Sequence, residues 1–346
     1  MRVMLAASNL GCNGAVVYAR RLAPLLIERG HKVWLAAHRD SWIAQETQGE
    51  VALFDTDFSR WPLTELERTA DFCRKEGIQI FHSHLTRASN FGVFLQVLHG
   101  VPSLAHLHAN HLQLHPWFHR KVVAVSADTL SRWRRRGVGF GQRGRVLPNF
   151  VDPLAFTPAS GEDRLRSILG VPAGTPVLLV VGTVNRRKGQ DLAVRALPLI
   201  RRHFPNAVLA LVGGGALPKE LISTPGLVQL GHRTDIAELL PWATLSIVPS
   251  RDEPFGLAAI EAMACGVPVL TSGAGGLKEV VAGGAGATFR GDDFEDLAQH
   301  SIRLLRDEPQ RRLLIEAGHK RVQQNYLPTP HLAALEVIYE ELVGAA

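Results

Sequence analysis

The chain has 346 residues, 46% of them hydrophobic and 20% charged, with 3 cysteines and a formal net charge of +6. That length exceeds what one hydrophobic core serves and predicts two domains; the apolar content excludes a disordered chain, and nothing in the sequence suggests a fibrous one. Cys12, Cys73 and Cys265 are too few and too scattered for a disulfide framework, and no run approaches the roughly 18 apolar residues of a membrane span.

The opening MRVMLAASNLGCNG reads as a first strand and not as a signal peptide, because its apolar stretch breaks at Ser8 and Asn9 without a cleavage pattern. A soluble, cytoplasmic protein is expected. From there, short apolar strands alternate with amphipathic stretches, the pattern of βα units around parallel sheets. The first half predicts strands at Val3–Ala7, Lys32–Ala37, Ile78–His82, Ser103–His108 and Lys121–Ser126. Helices are predicted at about Ala15–Arg29, at Ser89–His99 and through Arg135. Leu147–Ala159 carries three prolines and little periodicity, and is the linker candidate. Beyond it come strands at Val177–Val181, Val208–Val212, Leu227–Leu230, Leu245–Pro249 and Val267–Thr271. Between and after them lie helices at Asp191–His203, Thr234–Leu240, Gly256–Cys265, Asp293–Arg306, Gln310–Asn325 and Leu332–Leu342. The expected fold class is α/β: two doubly wound Rossmann-like domains facing across a cleft, with ligands at the C-terminal ends of the strands.

Charge is uneven. Residues 1–157 hold 19 Lys+Arg against 12 Asp+Glu, a net of +7, whereas the remainder is at −1. Part of the excess is local, at Arg132, Arg134, Arg135, Arg136, Arg143 and Arg145, with Trp133 inside the cluster and Trp117, Phe118, Arg120 and Lys121 nearby. Cations flanking an apolar tip suggest attachment to an anionic membrane surface, the alternative being a helix whose Trp faces the core. No nucleic-acid motif or aromatic–basic platform accompanies the charge, so nucleic acid is not an expected partner.

The stretch Pro249–Thr271, PSRDEPFGLAAIEAMACGVPVLT, carries the most specific chemistry. A strand ends, a loop holds Asp252 and Glu253, and a helix begins at Pro254-Phe255-Gly256, so its first-turn N–H groups, including that of Leu257, form an anion site suited to a diphosphate. Glu253 is placed to accept from sugar hydroxyls. Glu261, eight residues on among small apolar residues, is costly to bury unless a diol such as a ribose, or an internal partner, satisfies it. Lys188 lies in RRKG after a strand. Gly11-Cys12-Asn13-Gly14 leads into a helix and can bring backbone N–H groups to the same diphosphate. His82-x-His84 and His106-x-His108 are strand-spaced pairs, each on one face. No carboxylate or cysteine motif accompanies them, so no metal is expected, and core or surface packing is predicted for His82 and His106. Gly213-Gly214-Gly215 is not completed to a dinucleotide fingerprint, since Pro218 intervenes. There is no phosphate-binding-loop lysine motif and no Gly-x-Ser-x-Gly elbow.

Glu253-x7-Glu261 within a strand–loop–helix, followed by EAMACGVPVLT and Gly275-Gly276, resembles the donor-site signature of glycosyltransferase family 4, retaining nucleotide-sugar-dependent enzymes of the GT-B fold. Asn13-Gly14, ERGHKV, VSADTL, LPNFVDPLAF, VVGTVNRRKGQDL, LVGGG and LGHRTDI extend the resemblance over nearly the whole chain. The resemblance implies an acceptor domain at 1–155, joined by a returning helix at 329–346, and a nucleotide-sugar domain at 156–328. It implies that Lys188 neutralises the leaving β-phosphate and that His108 contacts the transferred sugar, with Glu253 the third catalytic group. Gly14, Arg186, Arg187, Phe255, Gly256, Leu257, Glu261, Gly213, His232 and Arg233 would bind the nucleotide sugar. The family carries Gly-Arg five residues before the lysine; here Thr183 follows Gly182, and Arg186 or Arg187 stands in, the sequence leaving the choice open.

The implied reaction moves a hexose-type sugar from a nucleotide-diphosphate sugar, UDP favoured, to a cell-envelope or lipid-linked glycan, lipopolysaccharide core favoured. It needs no metal or other cofactor. The protein would be cytoplasmic, or peripheral at the inner face of the membrane. A non-catalytic or partner-dependent nucleotide-sugar-binding protein and a nucleotide-sugar 2-epimerase are the alternatives.

Overall fold

The computed structural model describes residues 1–58, 63–111, 118–135 and 144–344. These form two compact units, Met1–Asn149 with Pro328–Ala346, and Phe150–Leu327.

The first unit is built on strands β1 (Arg2–Ala7), β2 (Lys32–Ala37), β3 (Ala52–Asp55), β4 (Ile80–His84), β5 (Ser103–Leu107), β6 (Lys121–Ala124) and β7 (Gly144–Val146). They pair in the order β3-β2-β1-β4-β5-β6-β7, and every pairing is parallel. Helices α1 (Gly14–Glu28), α2 (Trp42–Glu46), α3 (Leu63–Glu76), α4 (Thr86–His99) and α5 (Ala127–Arg135) connect them. β1 reads as a near-continuous apolar run because helices cover both faces, and β4 and β5 are buried at every residue although each carries serine and histidine. α1 ends where expected, with Gly30 at φ +82 accommodating the left-handed turn into β2.

The sequence reading passes from Ala37 to Ile78 without an element, and the structure fills the gap with α2, β3 and α3. β3 exposes two of its four residues, so it has no apolar run to announce it.

The second unit opens with α6 (Arg164–Leu169) and carries β8 (Val177–Val181), α7 (Gln190–Arg201), β9 (Val208–Val212), β10 (Leu227–Gly231), α8 (Ile236–Leu239), β11 (Leu245–Val248) and α9 (Leu257–Ala264). It closes with β12 (Val269–Thr271), α10 (Leu277–Val280), β13 (Ala287–Thr288), α11 (Phe294–Arg306) and α12 (Glu308–Asn325). Its sheet, again all parallel, runs β10-β9-β8-β11-β12-β13. Leu178, Val180, Leu209, Leu211 and Ile247 pack against Leu192, Ala196, Leu197 and Ile200 of α7 and Leu297 and Leu304 of α11.

The last helix, α13 (Pro328–Gly344), belongs to the first unit. Tyr339 reaches His82 Nδ1 at 2.8 Å, and His331 bonds both Tyr18 Oη and the Pro148 carbonyl at 2.8 Å. In each sheet the strand order reverses beside the first strand, between β1 and β4 and between β8 and β11. Loops leaving those pairs diverge and open a crevice at their C-terminal ends.

Candidate functional site

In the second unit that crevice is framed by the loops after β8 and β11. After β8, Asn185 caps a 3₁₀ turn, Arg186–Lys188, its side chain accepting from the Lys188 N–H at 3.0 Å. Gly189 then takes φ +72, and a Cβ there would lie 2.0 Å from the Pro249 carbonyl oxygen. Only glycine lets the two loops approach this closely. The approach brings Lys188 Nζ to 2.5 Å from Glu253 Oε2, an oxygen that also accepts from Ser250 Oγ at 3.1 Å. Glu253 is 7% exposed and Lys188 half-buried, so the pair sits at the edge of the core where water screens it weakly. The Glu253 carbonyl accepts from the Gly276 N–H at 2.8 Å, and a Cβ on Gly276 would clash with the Pro254 carbonyl at 2.2 Å. Gly276 thereby fixes the loop from below.

Arg251 ties this frame together, and the sequence reading did not single it out. It donates to both oxygens of Asp191 at 2.7 and 2.8 Å, to the Arg186 carbonyl at 2.8 Å and to Asp292 at 2.5 Å, while its own N–H donates to the Arg187 carbonyl at 2.8 Å.

Helix α9 starts at Leu257, one residue later than predicted. Gly256, at φ +114, has no side chain with which to cap it, so the N–H groups of Leu257 and Ala258 keep the character of an anion site, while that of Ala259 donates to the Gly256 carbonyl at 3.0 Å. Phe255 is buried and packs edge-on against Tyr326 at 5.5 Å, anchoring the turn rather than facing solvent. Glu261 is 8% exposed, between Ile260 and Ala262, both at 0%. Arg187 Nη1 donates to the Asp252 carbonyl at 2.9 Å, beside Glu253. The side chain of Arg187, not that of Arg186, is therefore the one attached to the Glu253 loop. Gly213, Gly182 and Gly231 meet at the ends of β8, β9 and β10, with the Gly213 N–H donating to the Gly231 carbonyl at 2.7 Å. His232 is exposed there, and Arg233 is engaged with Asp235 at 2.6 Å.

In the first unit, Asn13 caps α1 by accepting from the N–H groups of Ala15 and Val16 at 3.0 and 3.1 Å. Two of the donors that the glycine loop was expected to offer thus already have a partner, while Gly14 is exposed at the head of the helix. His108 lies one residue beyond β5 and accepts or donates at Nε2 with His84 Nδ1, 3.1 Å away. Burial, then the neighbouring His84 and His331, pushes its pKa well below that of free imidazole, so it is neutral at neutral pH.

In the basic cluster Trp133 takes the second of the two readings. Trp133 is 7% exposed and packs on Leu107, Val122 and Leu130, so it faces the core and offers no tip to a membrane. Lys121 and Arg145 both pair with Glu341 of α13, at 2.9 and 2.6 Å, and Arg132 pairs with Asp128 at 2.6 Å. Phe118 is 59% exposed; Trp117, Arg136 and Arg143 lie outside the described residues. Among the described residues no helix is long and apolar enough to cross a membrane.

Residues 12–153 match the family model for Glycosyltransferase Family 4, and residues 161–321 that for Glycosyl transferases group 1. The chain is 36% identical over 221 residues to a D-inositol 3-phosphate glycosyltransferase of Nocardiopsis dassonvillei, covering 58% of this chain and 51% of that protein. It is 32% identical over 224 residues to a GDP-mannose-dependent monoacylated alpha-(1-6)-phosphatidylinositol monomannoside mannosyltransferase of Corynebacterium glutamicum, covering 59% and 58%. The chain thus spans little more than half the length of these curated relatives. Among solved structures, Anabaena HepE in complex with UDP and glucose superposes with a TM-score of 0.87 at 19% identity, covering 99% of this chain and 100% of that one, a likeness of fold. Two family domains in tandem, each on its own parallel Rossmann-like sheet, make this chain a member of the family 4-type glycosyltransferases of GT-B fold.

Proposed function

We propose that the chain is a retaining, metal-independent hexosyltransferase that draws on a nucleoside diphosphate sugar, UDP favoured, and serves an anionic glycan or lipid-linked acceptor. The observation that carries this reading is the Lys188–Glu253 pair, held where the loops after β8 and β11 meet, beside the uncapped start of α9. A diphosphate seated on the α9 N–H groups competes with Glu253 for the Lys188 ammonium. Once Lys188 turns to phosphate, Glu253, still bonded by Ser250, becomes an acceptor for sugar hydroxyls. Charge grows on the departing β-phosphate, and Lys188, Arg187 and the helix N-terminus stabilise it without further rearrangement once the donor is bound. A phosphate oxygen of the leaving group takes the acceptor hydroxyl's proton on the face it vacates, which retains the anomeric configuration.

Glu261 is assigned to the ribose hydroxyls, and Gly213, His232 and Arg233 to the base. His108 contacts the transferred sugar, and Gly14 contributes a backbone donor; both assignments rest on the family resemblance. The acceptors named for the two relatives both carry phosphate, which supports an anionic acceptor; lipopolysaccharide core, favoured from the sequence, is a second candidate. The proposed location is cytoplasmic, with peripheral attachment at the inner membrane face.

The test screens UDP-glucose, UDP-N-acetylglucosamine, UDP-galactose and GDP-mannose for nucleotide release. Inositol phosphate, a phosphatidylinositol glycolipid and lipopolysaccharide core serve as acceptors, and the anomer formed is read by NMR. Transfer with retained configuration is expected. Stabilisation by free sugar alone, with no nucleotide release from any donor, overturns the reading in favour of a binding protein. Isomerisation of the donor without an acceptor overturns it in favour of an epimerase.

A further inference from the structure

The first unit buries an unusual amount of imidazole that the transfer reaction does not use. His82 and His84 stand two residues apart on β4 and so share one face of the sheet. His106 is the register partner of His84 on β5, and its ring joins theirs on that face. Ring centroids lie 4.4 Å apart for His82 and His84, 5.5 Å for His84 and His106, and 5.4 Å for His82 and His106. The three side chains are 0%, 0% and 4% exposed.

The hydrogen-bonding pattern is selective. His82 engages Tyr339 through Nδ1 and His84 engages His108 through Nδ1, at 2.8 and 3.1 Å, while Nε2 of each is buried without a hydrogen-bond partner. His106 has no partner at either ring nitrogen. His331, in the same layer, differs: both of its nitrogens are bonded, to Tyr18 and to the Pro148 carbonyl. Buried polar atoms are rarely left unmatched, and each of these three neighbouring rings carries at least one. One ring nitrogen from each of His82, His84 and His106 lies within 4.8 Å of the other two. A ligating histidine characteristically gives its other ring N–H to a protein acceptor, which fixes the tautomer; His82 and His84 both have that outer partner in place.

We propose that His82, His84 and His106 form a binding site for one divalent transition-metal ion of the zinc class, with Nε2 of His82 and His84 as ligands, fastening β4 to β5 beneath α1 and α13. Three neutral imidazoles with no carboxylate suit zinc, cobalt or nickel and not magnesium or calcium. Burial pushes all three rings well below the usual imidazole range, His84 to about 3, so at neutral pH protons do not compete for these lone pairs. The ion would hold His84 with its proton on Nδ1, donating to His108 Nε2. It is a structural ion, separate from the diphosphate chemistry of the second unit.

The test strips the purified full chain with a chelator and titrates it with Co2+ and then Zn2+. One equivalent of Co2+ with the intense visible absorption of a four-coordinate site, three imidazoles and one solvent molecule, is expected, displaced stoichiometrically by Zn2+, with a rise in Tm. His106→Gln is the informative variant, because His106 gives up no hydrogen bond on replacement; it should lose that equivalent while keeping its far-UV circular dichroism. A weak six-coordinate cobalt spectrum of the wild-type chain, the signature of surface histidines, overturns the site. So does a folded His106→Gln that retains the bound equivalent. Should His106→Gln not fold, the wild-type cobalt spectrum and the Zn2+ displacement decide the matter alone.

Discussion

Arg251 holds two carboxylates and a carbonyl from a place that no periodicity marks. Its bonds to Asp191 in the first turn of α7 and to the Arg186 carbonyl reach 60 and 65 positions back along the chain, and that distance is why the sequence does not mark it. Glu253, Gly256 and Glu261 were legible because they fall within one strand–loop–helix, where local spacing already states their geometry. Arg251→Ala leaves half-buried Asp191 without its cation and frees the turn that presents Lys188. We expect a loss of about 2 kcal/mol in denaturant stability and a fall in kcat larger than any rise in KM. Arg251→Lys should not rescue it, since an ammonium cannot make the two-pronged contact to Asp191. Full activity with Arg251→Lys would show that the fork does not position the loop. Lys188→Ala and Glu253→Ala act on the site itself. Each should lower turnover by roughly 100-fold to 1,000-fold, the scale of losing one preorganised electrostatic group, with far-UV circular dichroism unchanged. Near wild-type turnover in either variant would remove that residue from the mechanism.

At the scale of elements, the parallel βα alternation was readable because strands buried on both faces are continuous apolar runs, while the helices carry one apolar stripe. Pairing register was not readable. The pairs His82-x-His84 and His106-x-His108 were visible as strand-spaced pairs, but only β4–β5 pairing sets His84 opposite His106 and turns predicted packing residues into a cluster. Helix α13 gives the pH-dependent case. Glu336 bonds Arg29 through both oxygens, at 3.1 and 2.7 Å, and lies 3.0 Å from His31. The Arg29 hydrogen bonds, opposed by partial burial and reinforced by His31, hold its carboxyl down at about 2. A depressed carboxyl favours the folded chain once the unfolded chain is ionised. The contribution is therefore fully present above about pH 4.5, the usual glutamate value, and is lost as pH falls towards 2. Glu336→Gln should thus be less stable than the parent at pH 7, and the gap should narrow from pH 4.5 downwards. A gap that stays constant across that range would mean the carboxylate's charge does not secure α13.

For the whole molecule, the fold redistributes the charge that the sequence assigned by halves. The first unit keeps 19 Lys+Arg against 11 Asp+Glu up to Asn149, and then takes back Glu336, Glu340 and Glu341 with α13, leaving it at +5 and the second unit at +1. Two of those returning carboxylates sit on Arg29, Lys121 and Arg145, and Arg39, Arg68 and Arg132 have partners of their own. The surface field is therefore weaker than a count of arginines suggests, and with Trp133 in the core it lacks one of its two candidate aromatic anchors among the described residues. Attachment to an anionic membrane, if the acceptor is displayed there, must then be mainly electrostatic and shallow. At about 0.1 M salt the screening length is about 10 Å, and at about 1 M it is about 3 Å. Cosedimentation with vesicles containing phosphatidylglycerol is expected at the lower salt and should vanish at the higher, with none on phosphatidylcholine at either. Retention at high salt would instead require an inserted apolar segment, with Phe118→Ala the variant to separate the two, since its ring is 59% exposed. Equal partition to both lipids would remove the basic excess from the account of how the chain would reach a membrane-borne acceptor.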